Sequence, residues 1–221
     1  SKEVFNIYSR ALVVREYYIV VMKVEVKVIS LLKRQDRRNY TKVHLGSRYN
    51  FSFFDAIDGK THKFTSKENK LFKNSEFHTY NVFPEACKGI CLSNYYLWKY
   101  ASDNNINLVI FEDDVIITSP EWFNWEEMFK DDFDIHFLTN QKQFANCYAY
   151  LVTPQGAKKL IKYFNKRGFI DQLDNDLRYL PKDKFNVRNE IFNHFGTFSP
   201  LGKFNYGSDI LLEGHKTHVK F

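Results

Sequence analysis

The sequence LVIFEDD at residues 108–114 determines the predicted fold and the position of the predicted site. Its first four residues are β-branched, aromatic or otherwise apolar, which is typical of a buried strand. Glu112, Asp113 and Asp114 follow at the strand end, where an open α/β sheet binds its ligands. Three adjacent carboxylates repel one another unless a positive charge lies beside them. The trio therefore predicts a divalent cation that bridges to a diphosphate, and the alternative is a solvated acidic turn.

The remaining chain alternates strand and helix patterns, which predicts an α/β fold with a central, mostly parallel sheet flanked by helices. Strands are predicted at residues 23–28, 51–54, 108–111, 133–138 and 148–152. Helices are predicted from a capping box at Thr65 and Glu68, over residues 89–104, from Ser119-Pro120, and from Thr153-Pro154 to Gly168.

Length and composition favour one globular domain. The 221 residues contain no internal repeat, so we expect a single domain at residues 24–221 behind an N-terminal extension, residues 1–23, of uncertain role. The net charge of +6 favours an anionic ligand. Lys and Arg are spread along the chain without a nucleic-acid recognition motif, which argues against a nucleic-acid partner.

The cysteine content and the hydropathy exclude other protein classes. With 3 Cys the chain is not a disulfide scaffold, and buried free thiols are expected, although Cys87 and Cys91 could pair or bind metal. No window approaches the roughly 18 apolar residues of a membrane span, and no signal-peptide pattern opens the sequence. The default expectation is a soluble, cytoplasmic protein, or one in a viral or host-cell compartment; the oligomeric state stays open.

Four sequence blocks occur in the order and spacing of a known family. They are VISL followed by KRQDRR (residues 28–38), DAIDGK (55–60), GICLSNYYLW leading into LVIFEDDV (89–115), and AYLVTPQGAKKL followed by FID (149–171). Together they resemble glycosyltransferase family 25, which holds procollagen galactosyltransferases and bacterial lipooligosaccharide galactosyltransferases. The resemblance covers roughly residues 24–176, and KRQDRR is more similar to the collagen-modifying branch.

This resemblance implies a GT-A type domain, a UDP-sugar donor, and Mn²⁺ (or Mg²⁺) as cofactor. It further implies inverting transfer of a hexose, galactose or glucose, to hydroxylysine of a collagen-like protein or to a glycan. One departure is Asn94, which follows Ser93 where the family usually has His.

Candidate metal ligands follow from strand geometry and from the family. In an extended chain residues i and i+2 share a face, so Glu112 and Asp114 would bind the metal while Asp113 faces ribose or sugar hydroxyls. Alternatively, Asp114 alone binds the metal. By family position His194 is the candidate imidazole ligand, and His136 is the second choice; a lone His is more often structural.

Candidate donor-binding residues lie after the first two strands. Arg37 and Arg38 could hold phosphate bidentately, or form a solvent-facing basic turn. Asp58 could accept from uracil or ribose, with Gly59 allowing close approach of the backbone. The alternative for Asp58 is a turn-forming residue.

The candidate catalytic residues lie after the last predicted helix. Inverting transfer needs a base that deprotonates the acceptor hydroxyl. Family position indicates Asp171, with Asp174 and Asp176 as nearby alternatives, and an acidic loop is the alternative for each of them.

Two other functions remain open on the sequence alone. An acidic-cluster nuclease or phosphatase would explain the trio and the basic charge, but not KRQDRR or DAIDGK. A non-catalytic binding module that retains the fold is compatible with Asn94.

Overall fold

A computed structural model describes residues 23–73, 84–120, 122–139, 147–190 and 194–197. The predicted extension, apart from residue 23, lies outside these residues. The strands are β1 (Val24–Ser30), β2 (Ser52–Asp55), β3 (Asn107–Glu112), β4 (Val115–Ile117), β5 (Ile135–Phe137), β6 (Ala149–Val152), β7 (Val187–Asn189) and β8 (Phe195–Thr197). The helices are α1 (Gln35–His44), α2 (Ser66–Asn69), α3 (Glu85–Asn104), α4 (Trp125–Met128), α5 (Pro154–Arg167) and α6 (Leu173–Arg178).

The central sheet has six strands in the order β2-β1-β3-β6-β5-β7. Strand β1 pairs in parallel with β2 and β3, and β5 pairs in parallel with β7. Strand β6 runs antiparallel to both of its neighbours. The predicted α/β architecture with a mostly parallel sheet flanked by helices is therefore confirmed.

Core side chains cover both faces of strand β3, which lies inside the sheet between β1 and β6. Leu108 and Ile110 belong to the core on the α3 and α5 side, whereas Val109 and Phe111 belong to the core on the opposite side. Burial on both faces explains why this strand is a continuous apolar run rather than an alternating one. Packing on both faces thereby fixes the carboxyl end of β3, which carries the acidic trio, at one end of the strands of the sheet.

Local capping signals located two of the six described helices, α2 and α5. Thr65 and Glu68 form the predicted capping box of α2, and the Thr153 side chain caps α5, which ends at Gly168 with φ of 80°. The helix predicted over residues 89–104 is α3, which begins four residues earlier, at Glu85.

The helix start predicted at Ser119-Pro120 is wrong. Residues 118–120 are not helical, and α4 begins at Trp125. The Asn124 side chain accepts a hydrogen bond from the Glu127 N–H and so supplies the N-cap. Asn and Ser are comparable N-caps, so the local sequence does not distinguish the two starts.

No helix among the described residues is both long enough and apolar enough to cross a membrane.

Candidate active site

A cavity of about 330 Å³ opens at the carboxyl ends of β1 and β3. Segments that follow β1 and β2, together with the first turns of α3 and α6, complete its wall. Its acidic lining residues are Glu112, Asp113, Asp114, Asp174 and Asp58, and its basic ones are Lys33, Arg37 and Lys60. The acidic trio and the DAIDGK turn, which are 50 residues apart in sequence, thus share one cavity.

The trio does not continue the extended strand. Glu112 is the last residue of β3, while Asp113 and Asp114 form the turn before β4. The predicted alternation of faces therefore ends at Glu112, and all three residues line the cavity.

Asp113 is engaged by protein groups. Its Oδ2 accepts a hydrogen bond of 2.7 Å from the Ser30 hydroxyl, and its Oδ1 accepts one of 2.8 Å from Arg37 Nη1. All three side chains are buried. These bonds connect β1, α1 and the turn after β3. Both Asp113 oxygens are therefore bonded within the protein, whereas the sequence predicted that this side chain faces ribose or sugar hydroxyls.

Asp114 lies in the opposite situation. Its Oδ1 is buried and has no hydrogen-bond partner among the described residues, and its Oδ2 lies 3.9 Å from Arg37 Nη1. Burial, opposed by Arg37 and reinforced by Asp113, raises the pKa of Asp114 to about 6. Burial and the charges of Asp114, Asp174 and Asp113 raise the pKa of Glu112 well above its usual value. Among the described residues, the cavity is lined by five acidic and three basic side chains, and the raised pKa values of Glu112 and Asp114 show that ionising these carboxyl groups is costly without a further cation.

This donor set fits a hard divalent cation only in part. Across the described residues, no three His, Cys, Asp or Glu side chains form a group that could hold a metal ion. However, Mg²⁺ commonly takes one or two carboxylates and completes its shell with water and substrate phosphates. The unpartnered oxygen of Asp114 suits such a cation, whose remaining ligands would come from a bound nucleotide.

Neither predicted histidine ligand is among the residues lining the cavity. His136 lies in β5 with its Nε2 2.8 Å from Glu190 Oε1, and His194 Nε2 lies 3.7 Å from Glu190 Oε2. The His194 ring also packs edge-on against Phe123, at 4.9 Å between centroids. The described structure therefore places both imidazoles beside Glu190 instead of beside the trio.

The two predicted phosphate-binding arginines have different environments. Arg37 lines the cavity beside the trio. Arg38 donates to the Ser30 carbonyl at 2.9 Å, pairs with Asp55 and stacks on Phe53, outside the cavity lining. Successive residues on a helix point about 100° apart, which separates the two side chains. Arg38 therefore joins the ends of β1 and β2 and does not face the predicted phosphate.

Lys33 is a cavity cation that the sequence reasoning missed. It lies in the KRQDRR block, its side chain is 56% exposed, and its Nζ lies 2.5 Å from Asp58 Oδ2. On sequence alone, the arginines are favoured as phosphate ligands because a guanidinium can bind a phosphate bidentately. Proximity to the same block was the only signal for Lys33.

Gly59 lines the cavity, and it also has a packing role that the sequence did not predict. A Cβ at Gly59 would lie 1.7 Å from the Glu85 carbonyl oxygen, and one at Gly89 would lie 2.4 Å from the Ile57 carbonyl oxygen. The two glycines let the DAIDGK turn pack directly against the first turns of α3. Asp58 is thereby fixed at the cavity.

Of the three aspartates predicted as bases, only Asp174 lines the cavity. Asp176 pairs with Arg167 and accepts the N–H groups of Ile170 and Asp171, which holds the loop. Asp171 accepts from the Gln172 N–H and from Asn175 Nδ2, and so supports the start of α6. Asp174 is half-buried, and its partial loss of solvation raises its pKa.

Asn94 lies in the core and does not line the cavity. Its Oδ1 accepts from the Tyr150 hydroxyl at 2.6 Å, and its Nδ2 donates to the Ile90 carbonyl at 3.0 Å. Trp98 Nε1 donates to the same hydroxyl. Asn94 is thus satisfied between α3 and β6, and its presence removes no group from the cavity lining.

Two comparisons with known proteins support the family resemblance, and the matched profile spans the first three of the four sequence blocks. Residues 24–131 match the sequence profile of "Glycosyltransferase family 25 (LPS biosynthesis protein)". A putative glycosyltransferase of Haemophilus influenzae is 30% identical over 168 residues, which are 61% of this chain and 56% of that protein. The chain thus spans little more than half the length of this relative. Both findings support the family, and neither selects the collagen-modifying branch.

Proposed function

On the premise that the chain is a member of glycosyltransferase family 25, which both comparisons support, we propose that it is a metal-dependent glycosyltransferase of the GT-A type. It transfers a hexose, galactose or glucose, from a UDP-sugar to an acceptor hydroxyl on a glycan or a collagen-like protein. The observation that carries this proposal is the buried Oδ1 of Asp114, which has no hydrogen-bond partner among the described residues, in a cavity lined there by more acidic than basic side chains.

The charges of the cavity support a nucleotide bound together with a cation. Arg37 pairs with Asp113, and Lys33 pairs with Asp58, which leaves Glu112, Asp114 and Asp174 without a comparable ion pair. When bound, Mn²⁺ or Mg²⁺ would be held by Asp114, with Glu112 beside it, and would neutralise charge on the departing diphosphate. Lys33 is exposed and lies at the cavity, where it can pair with a phosphate.

Asp174 is the side chain best placed to accept the proton of the acceptor hydroxyl. Of Asp171, Asp174 and Asp176, it is the one that lines the cavity, and its raised pKa makes it a better base than an ordinary carboxylate. We propose that the sugar moves with inversion, which requires the base and the leaving diphosphate to act on opposite sides of the reacting carbon.

Asp174→Asn is expected to slow sugar transfer by about a hundredfold, which is typical for the loss of a general base. Asp171→Asn is the matched control, because Asp171 lies in the same loop but bonds only its own loop in the described contacts. We expect Asp171→Asn to affect stability more than kcat. Steady-state kinetics with donor and acceptor, together with UDP titration, would measure both. Equal kcat values for the two variants would contradict the assignment.

Thermal unfolding with UDP and Mn²⁺ tests the proposed function directly. The protein should gain thermal stability with UDP and Mn²⁺ together and little with either alone, because neither completes the site by itself. Stabilisation by an oligonucleotide instead would favour a nuclease. Binding of UDP and Mn²⁺ without turnover of any UDP-sugar in a donor panel would favour a non-catalytic module.

A further inference from the structure

The three cysteines of the chain are buried thiols that form no disulfide bond, and two of them lie at the candidate site. Cys87 lines the cavity, in the first turn of α3. Cys147 lies two residues before β6, and its Sγ is 2.5 Å from Asp174 Oδ1. Cys91 is fully buried in the core that α3 shares with α5.

Cys147 contacts the Asp174 carboxylate through two groups. The thiol donates to Oδ1, and the backbone N–H of Cys147 also donates to this carboxylate. Both donors come from one residue that precedes β6, whereas Asp174 comes from the first turn of α6. The pair therefore fixes the short helix α6 against the central sheet at the cavity.

We infer that Cys147 is a positioning residue, which holds one oxygen of the Asp174 carboxylate so that the other is available to the acceptor hydroxyl. This inference rests on the proposed role of Asp174 in sugar transfer.

The weakness of the thiol as a donor suits this role. A strong donor such as a guanidinium would hold the carboxylate firmly but would also lower its basicity. An S–H group is a weak donor. It can orient the carboxylate while leaving most of its affinity for a proton. Asp176, two residues later, shows the contrasting arrangement, since Arg167 and two N–H groups bind it and it does not line the cavity.

The test compares Cys147→Ala and Cys147→Ser with Cys91→Ala and Cys91→Ser. Cys147→Ala should lower kcat about tenfold, as expected for loss of a hydrogen bond to a charged group, with unchanged affinity for UDP and Mn²⁺. Cys147→Ser keeps a donor and should recover most of the lost rate. The Cys91 variants also change a buried thiol, but they should alter stability without this pattern in kcat.

Two kinetic outcomes would overturn the inference. The first is an unchanged kcat in Cys147→Ala. The second is an equal loss in Cys147→Ala and Cys147→Ser, which would show that only the volume of the sulfur matters.

An infrared measurement separates this inference from the proposed function. The S–H stretching band of a thiol that donates to a carboxylate is shifted from that of an unbonded thiol, and no substrate is needed to record it. The shifted band should disappear in Cys147→Ala, persist in Cys91→Ala, and move in Asp174→Leu, which removes the acceptor. If the wild-type protein turns over no UDP-sugar, the proposed function fails. A Cys147 band that does not respond to Asp174→Leu overturns the inference whether or not turnover is seen.

Discussion

Asp114→Asn is expected to abolish sugar transfer and, at neutral pH, to make the metal-free protein more stable than the wild type. Asn removes the negative charge that the cation requires, so the joint binding of UDP and Mn²⁺ should be lost. The gain in stability arises because the wild-type carboxylate is half-buried and its buried Oδ1 has no hydrogen-bond partner in the part of the chain that the structure describes. Asn has nearly the same shape and no charge.

The pH dependence of the stability follows from the raised pKa. Asp114 has a pKa of about 6 in the folded protein, compared with its usual 3.8. Its favourable contribution is complete below pH 4 and is lost as the pH rises through 6, since the unfolded state then releases its proton more readily. Two pKa units correspond to about 3 kcal/mol, which is the order of the gain expected for Asp114→Asn at pH 7. At pH 4 the gain should largely disappear.

Urea unfolding of the metal-free proteins at pH 4 and pH 7 would measure this difference, and calorimetry with UDP and Mn²⁺ would measure ligand binding. Asp113→Asn is the matched control. It changes the neighbouring carboxylate, which is bonded to Ser30 and Arg37, so it should destabilise the protein. Loss of stability at pH 7 in Asp114→Asn, or retained turnover, would contradict the proposal that Asp114 is a metal ligand whose ionised carboxylate destabilises the metal-free protein.

Features that depend on local pattern were predictable from the sequence. Strand β3 followed from a continuous run of β-branched and aromatic residues, and the start of α5 followed from Thr153-Pro154. The common position of the trio and the DAIDGK turn followed from the general rule that α/β sheets bind ligands beyond the carboxyl ends of their strands. These features need no knowledge of the contacts between distant segments.

Features that depend on which way a side chain points were not predictable. Arg37 and Arg38 are adjacent and chemically identical, and only the rotation of α1 about its axis places Arg37 beside Asp113. Likewise Asp171 and Asp174 are only three residues apart, and the packing of α6 against the sheet brings Asp174 to the cavity. The contact of Asp174 with Cys147 joins residues 27 apart and has no sequence signal.

Arg37→Met is expected to destabilise the metal-free protein at pH 7 by about 3–5 kcal/mol, the usual range when one partner of a buried ion pair is removed. Arg37 Nη1 lies 2.8 Å from Asp113 Oδ1 and 3.9 Å from Asp114 Oδ2, and both members of the first pair are buried. Met fills similar volume without the charge, so the trio would keep its burial and lose its counter-ion. The loss should shrink at pH 4, because the carboxylates with raised pKa, Glu112 and Asp114, are then protonated.

Arg38→Met is the matched control for this variant, since it removes the next arginine of the same helix. Arg38 pairs with Asp55, whose side chain is 66% exposed and can be solvated when the pair is broken. Arg38→Met should therefore destabilise the protein less, with a weaker dependence on pH. UDP and Mn²⁺ should restore part of the stability of Arg37→Met, because the bound cation supplies positive charge beside the same carboxylates. They should stabilise Arg38→Met no more than they stabilise the wild type. Urea unfolding of both variants, with and without these ligands, would measure the difference. Equal losses and equal pH dependence would show that Arg37 acts through packing and not as the counter-ion of the trio.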